Sequence, residues 1–324
     1  MSFFQPAPGA VLSHDIADYP DGIVLPIDKP YRWTSADVIR KVKFAAFRHF
    51  RKKNLKVGHA GTLDPLATGV LLVCIGPACK RAQEFQDHDK EYVADIRFGA
   101  TTPSYDLEKE VDRTFPYDRV TEDAVRAVLP SFLGPQEQVA PLFSAKSVDG
   151  VRAYEMARKL YRNAQKGILD PDFDAAALET LHRSRITISE LELLGFVEAS
   201  AGPSRTNFFS PEKRSKKSCP TPDADAACSE TVLSADTPVV ISSEVEKSAS
   251  SRINVADTSS LGLPEARIRI ACSKGTYIRA FARDLGEALG TGAHLSGLVR
   301  TKTGAFRLED ALSLEEALDL LASD

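Results

Sequence analysis

The patterned sequence of this chain is broken in the middle, and the break dictates how its parts must combine. From about Asp21 to Ala199, apolar runs alternate with helical patterns, as in a mixed α/β or α+β domain. The pattern then stops. Residues 200–262 hold fourteen serines scattered among Pro, Asp, Lys and Glu, and only VLSADTPVVI has the composition of a strand. Regular patterning resumes at EARIRIACSKGTYIRAFARDLGEALG. The serine-rich stretch therefore interrupts one domain instead of separating two, and a functional site can draw on both flanks. The expected organisation is an N-terminal extension over 1–20, an ordered domain made of 21–199 and 263–324, and a disordered insertion over 200–262. The sequence contains no internal repeat.

Composition narrows the class. With 324 residues, 43% of them hydrophobic, the chain can bury a sizeable core. No stretch approaches the roughly 20 apolar residues that span a bilayer, and MSFFQPAPGAVLSHD has no basic region ahead of an apolar one, so no membrane association and a cytoplasmic location are expected. Cys74, Cys79, Cys219, Cys228 and Cys272 form no CxxC pair and no Cys/His cluster at zinc spacing, which points to reduced thiols and no structural metal. A net charge of −4 argues against indiscriminate binding of nucleic acid through a uniformly positive surface. Any RNA site must be a local patch.

Four segments carry candidate chemistry. Thr34 and Ser35 are cap-type residues before a helix with Ile39, Val42, Ala46 and Phe50 at spacings of three and four. Arg40, Lys41, Lys43, Arg48, Arg51, Lys52, Lys53 and Lys56 concentrate positive charge there, suited to phosphates or to an ordinary solvated face. In GHAGTLDPLATGVLLVCIG, Val70 to Ile75 reads as a buried strand. The loop before it holds Gly58, Gly61 and Gly69, which permit unusual backbone angles, and Pro65, which keeps Asp64 out of the helical region. Spacing alone leaves Asp64 as either a turn residue or a presented carboxylate. The glycines match neither a dinucleotide fingerprint nor a phosphate-binding loop.

In EYVADIRFG, Tyr92, Ala94, Ile96 and Phe98 alternate with Glu91, Asp95 and Arg97, so Tyr92 shares a face with core residues and is either core or a stacking platform for a base. Ile268, Ile270 and Cys272 alternate as a strand, Ser273, Lys274 and Gly275 make a turn, and Thr276 is the expected cap of a helix that carries Ile278, Phe281, Ala282, Leu285 and Leu289 inward. Arg279 then falls in the first turn, where a cation opposes the helix dipole. Unless it snorkels to the surface, an anion must lie beside it, either a carboxylate or a phosphate.

Taken together these residues resemble the bacterial tRNA pseudouridine-55 synthase family, TruB. The resemblance runs through LPIDKPYRWTSADVIRKVK, GHAGTLDPLATGVLLVCIGPACK, DKEYVADIRFGATTPSYD and APLFSAKSVDGVRAYEMAR, and resumes in CSKGTYIRAFARDLGEALGTGAHLSGLVRTKTGAF. It implies an α+β fold whose mixed, mainly antiparallel central sheet is flanked by helices, and a reaction that needs no metal or organic cofactor. It implies tRNA, through its T-arm, as the partner of a monomeric enzyme that flips a uridine out of the T-loop. Asp64 is then the catalytic aspartate, attacking C1′ of the ribose or C6 of the base. Arg279 matches the arginine that pairs with it, and Tyr92 the tyrosine that stacks on the base and takes part in proton transfer. Tyr277 and Leu298 match residues lining the uracil pocket, His59 a histidine held against the T-loop, and Lys29 and Arg300 are candidate phosphate contacts near the cleft.

This chain departs from the family pattern at three places. About two dozen residues follow Arg300, so the resemblance implies a form without the small RNA-binding PUA domain that many members carry. The 200–262 stretch is not part of the pattern. GATTPSYDLEKEV has Pro103 and Tyr105 where a more acidic Thr-Asp-Thr pattern is common. Two other functions compete with the first: a tRNA-folding chaperone, and a pseudouridine synthase for another RNA, which need not share the contacts around His59 and segment 138–158.

Overall fold

The computed structural model describes residues 3–6, 10–141, 147–148, 151–152, 183–200, 253 and 255–322. The expected disordered insertion, including VLSADTPVVI, lies almost entirely outside the described residues, as does most of segment 138–158. The chain divides into two compact units, Met1–Ala82 with Pro211–Ile253 and Glu309–Asp324, and Gln83–Ser210 with Asn254–Leu308.

The first unit is built on β1 (Ile23–Lys29), β2 (Val57–Ala60) and β3 (Ala67–Ile75). Every residue of β3 is buried, which is why its sequence is an apolar run without alternation. It pairs antiparallel with β1 from Ile75↔Ile23 to Gly69↔Lys29, and with β2 over Leu72–Ile75. The expected strand at Val70 thus begins three residues earlier, at Ala67. Helix α1 (Ser35–His49) starts where the sequence marks it: Thr34 caps it and Asp37 bonds back in a capping box. Its buried stripe is Val38, Val42, Ala46 and Phe50, as expected except that Val38 takes the inward position in place of Ile39, which is only half-buried. All eight basic residues of the segment are exposed. Leu312–Ser313 pairs parallel with β1, and the helix Leu314–Leu320 follows with its own capping box from Ser313 and Glu316.

The second unit is a sheet of β4 (Lys90–Phe98), β5 (Gly134–Val139), β6 (Arg183–Val197), β7 (Glu265–Cys272) and β8 (Ala293–Thr303). Their order is β8-β4-β7-β6-β5, every neighbour antiparallel. Helices α2 (Glu122–Val128) and α3 (Ile278–Ala288) belong to this unit. The expected arrangement, a mainly antiparallel sheet flanked by helices, is the one observed.

One face of β4 carries Tyr92, Ala94, Ile96 and Phe98 into the core, as the alternation predicts. The opposite face is polar and yet closed: Asp95 takes two hydrogen bonds from Arg267 at 2.7 and 2.9 Å, and buried Arg97 donates to Glu265 at 2.6 Å and to Thr258 at 2.6 Å. Burial of such charges is tolerable only because each finds a partner. The Ser200 amide donates to the Gly262 carbonyl at 2.9 Å, just beyond the Val197↔Glu265 pair.

Candidate active site

Asp64 sits half-buried in the loop between β2 and β3, and the residues on either side of it are fastened. Leu63, before it, exchanges two hydrogen bonds with the Ser35 hydroxyl, its amide donating at 3.0 Å and its carbonyl accepting at 3.1 Å. After it, the Pro65 carbonyl accepts from the Lys29 ammonium at 3.2 Å. The same ammonium donates to Pro30 and Trp33 carbonyls at 2.9 and 2.6 Å, and Lys29 is fully buried. The Ala67 amide closes the turn onto the Asp64 carbonyl at 3.1 Å. Gly61 and Gly69 take φ of 90° and 103°, angles that a residue with a side chain rarely adopts. The sequence thus folds into a loop whose backbone is fixed at 63, 65, 67 and 69 while the Asp64 carboxylate is left half-exposed. His59 lies on β2 opposite Val73 of β3.

In the second unit, Tyr92 of β4 stands directly across from Arg300 of β8 on one side and Ile270 of β7 on the other. Leu298 is opposite Ala94, the next position on the same face. The strand pairing therefore brings Tyr92, Leu298 and Arg300 together in one buried patch, with Arg300 only 1% exposed. Such a patch combines an aromatic ring, an aliphatic wall and a guanidinium, the elements that grip a base by stacking and fix it by polar contact.

Helix α3 begins one residue later than its sequence suggests. Thr276 is not its cap: the Thr276 hydroxyl donates to the Ser273 carbonyl at 2.9 Å, and Tyr277 occupies the cap position without a side-chain bond to the helix. The capping work is done from a distance. Gln138 of β5 accepts from the Tyr277 amide at 2.8 Å and donates to the Tyr277 carbonyl at 3.1 Å. Arg279 lies in the first turn, 4% exposed, and the anion that its position demands is present: the Asp106 carboxylate at 3.7 Å, with the Ser104 carbonyl at 3.1 Å. Asp106 is itself held by the Ser104 hydroxyl at 2.6 Å and the Glu108 amide at 2.9 Å. Tyr105 between them takes φ of 56°, a left-handed conformation uncommon for a residue of its size. Its ring lies under the Arg283 guanidinium at 5.6 Å, and Arg283 also donates to the Val139 carbonyl at 3.1 Å.

Sequence reasoning singled out Arg279 but missed Asp106 and Gln138. For Asp106 there was a signal, since an Asp whose side chain can accept from the amide two residues on is the pattern of an Asx turn. For Gln138 there was none, because its partner is 139 residues away in sequence. Among the described residues, no helix is long and apolar enough to cross a membrane.

Residues 48–167 match the TruB family pseudouridylate synthase (N terminal domain), and residues 279–324 match the tRNA pseudouridylate synthase B C-terminal domain. Proteins called tRNA pseudouridine synthase B are similar over most of their length: one from Phocaeicola vulgatus at 40% identity over 92% of each chain, and one from Bacteroides thetaiotaomicron at 41% over the same shares. The crystal structure of a Cbf5-Nop10-Gar1 complex shares the fold, with a TM-score of 0.50 at 21% identity; the match covers 92% of this chain and 54% of that one. The chain therefore belongs to the TruB family of tRNA pseudouridine synthases.

Proposed function

We propose that this enzyme converts the uridine at position 55 of the tRNA T-loop to pseudouridine, working as a cytoplasmic monomer, with Asp64 as its nucleophile. The observation that carries this reading is the Asp64 loop: its backbone is tied down on both sides by Ser35 and Lys29, so a reacting carboxylate is presented without the freedom to relax away. In the reaction the bond from C1′ to N1 breaks and a bond from C1′ to C5 forms. N1 gains a proton and C5 loses one, so the product is an isomer of the substrate. Asp64 attacks at C1′ or C6 and is released when the rotated base closes onto C1′. Tyr92 stacks on the base and takes part in moving the C5 proton, while Tyr277 and Leu298 wall the pocket. Arg279 keeps positive charge at the site. Lys29, expected to contact phosphate, is instead fully buried with its ammonium on the Pro30, Trp33 and Pro65 carbonyls, and braces the loop.

Extruding the base costs a few kcal/mol. His59 helps to hold the flipped-out loop, and phosphate contacts from the exposed basic face of α1 contribute the remainder. Arg300, expected to meet phosphate, is instead buried beside Tyr92 and acts within the pocket.

The test is to incubate the protein and an Asp64→Asn variant with unmodified tRNA and map pseudouridine. The parent is expected to modify position 55 and the variant to lose at least about a thousandfold in rate, since an amide is not a nucleophile. Equal product from both removes Asp64 from the mechanism. Tight binding with no product from the parent favours a folding chaperone, and product only in ribosomal RNA fragments favours another substrate.

A further inference from the structure

We propose that Gln138 is a positioning residue for this reaction: its carboxamide holds the Tyr277 backbone and thereby sets the start of α3, where the pocket tyrosine and Arg279 are mounted. The inference rests on the reading of Tyr277 and Arg279 as parts of the uridine site.

Helix α3 has an acute need for such a device. Its cap residue makes no capping hydrogen bond through its side chain, its first turn contains no acidic residue, and it carries a buried arginine that the helix dipole disfavours. Gln138 is 3% exposed, so its amide has no solvent to fall back on. It spends its acceptor on the Tyr277 amide at 2.8 Å and a donor on the Tyr277 carbonyl at 3.1 Å. That carbonyl also accepts the first helical bond, from Phe281 at 3.1 Å. Tyr277 is thereby fixed at φ −98° and ψ 111°, the angles that direct both its own ring and the two residues after it.

The turn before it is tied as well. Thr187 and Ser273 exchange bonds at 2.8 and 2.9 Å, fastening the end of β7 to β6. Downstream, the Arg283 guanidinium reaches the Val139 carbonyl, the next residue of β5. Only a side chain with a donor and an acceptor at the same end, and of this length, makes both bonds to Tyr277. Asn is one methylene short, Met supplies neither strong donor nor acceptor, and ionised Glu supplies the acceptor alone.

Two full-length variants test this, Gln138→Met and Gln138→Glu, each confirmed as folded by circular dichroism. Three quantities are measured: the single-turnover rate of pseudouridine formation on unmodified tRNA, the Kd for that tRNA, and hydrogen exchange of the Tyr277 amide in the free protein. Gln138→Met is expected to slow the single-turnover rate about tenfold or more, with Kd changed by less than about threefold and Tyr277 protection lost. In Gln138→Glu a protonated acid can donate and accept, so its rate relative to the parent is expected to climb as pH falls from about 8 to about 5.5. A parental rate in Gln138→Met, a loss of binding that accounts for its loss of rate, or a flat Gln138→Glu to parent ratio overturns the proposal. If Gln138→Met does not fold, the pH dependence of that ratio decides alone. A parent that makes no pseudouridine counts against the proposed function, and Tyr277 exchange then decides whether Gln138 holds the helix start.

Discussion

At the scale of single residues, the chemistry rests on groups whose freedom has been removed. Arg279 illustrates the cost. A guanidinium 4% exposed at a helix start is unfavourable twice over, by desolvation and by the dipole, and the Asp106 carboxylate offsets both. Asp106→Asn can keep the bonds from the Ser104 hydroxyl and the Glu108 amide, which both end on Oδ1, and replaces the charged oxygen facing Arg279 with an NH2 donor. It is expected to destabilise the protein by about 2 kcal/mol in urea unfolding and to slow single-turnover pseudouridine formation by about tenfold or more. A variant with parental stability and rate would mean that Arg279 does not depend on this carboxylate. The need for an anion beside Arg279 was legible from one helix start. That Asp106 supplies one was not, because the loop from Ser104 to Glu108 reaches Arg279 only in three dimensions.

At the scale of elements, local rules succeeded wherever the partner was local. The capping box of α1 joins residues three apart, Thr34 and Asp37, and its sequence reads correctly. The cap of α3 fails the same rule at Thr276, because a glutamine from another strand replaces the side chain that a short window looks for. Polar alternation misleads in β4 for a related reason: Asp95 and Arg97 look solvent-facing until Arg267 and Glu265 of the neighbouring strand close over them. Helix α1 also supplies a prediction. Arg40, Lys41, Lys43 and Arg48 are exposed, and Lys43 and Arg48 lie over the Phe47 and Phe44 rings at 5.4 and 5.9 Å. If this face meets phosphates, replacing Lys41, Lys43 and Arg48 by Gln weakens tRNA binding and lowers the slope of log affinity against log salt by about 2 to 3. Filter binding across a salt series reads both. An unchanged slope would leave the helix a solvated face.

At the scale of the whole molecule, each unit buries a histidine whose pKa burial lowers, and this predicts how the protein responds to acid. His294 of β8 is fully buried and hydrogen-bonded to the Ala100 carbonyl at 2.9 Å; burial pushes its pKa down to about 4. A carbonyl can only accept, so Nδ1 carries the proton of the neutral ring. The unfolded chain takes up a proton below about pH 6.5, whereas the folded ring resists until about 4. The contribution of His294 is therefore intact above pH 6.5 and shrinks as pH falls to 4, by a total on the order of 3 kcal/mol. In the first unit, burial likewise lowers the pKa of His49, whose ring packs on His14 at 4.4 Å between centroids. Asp95 and Asp284 work the other way: burial raises their pKa values, so they favour the folded state as pH falls. Only a comparison with a variant isolates the histidine. His294→Gln retains a donor for Ala100 and does not titrate. Urea unfolding followed by circular dichroism at about pH 7, 6 and 5 is expected to give a smaller loss of stability for His294→Gln than for the parent on going to acid, even where the variant is the weaker protein at pH 7. Trp33, the single tryptophan, lies in the first unit and reports that unit separately through its fluorescence. An identical pH dependence in variant and parent by circular dichroism would show that His294 is not the acid-sensitive group.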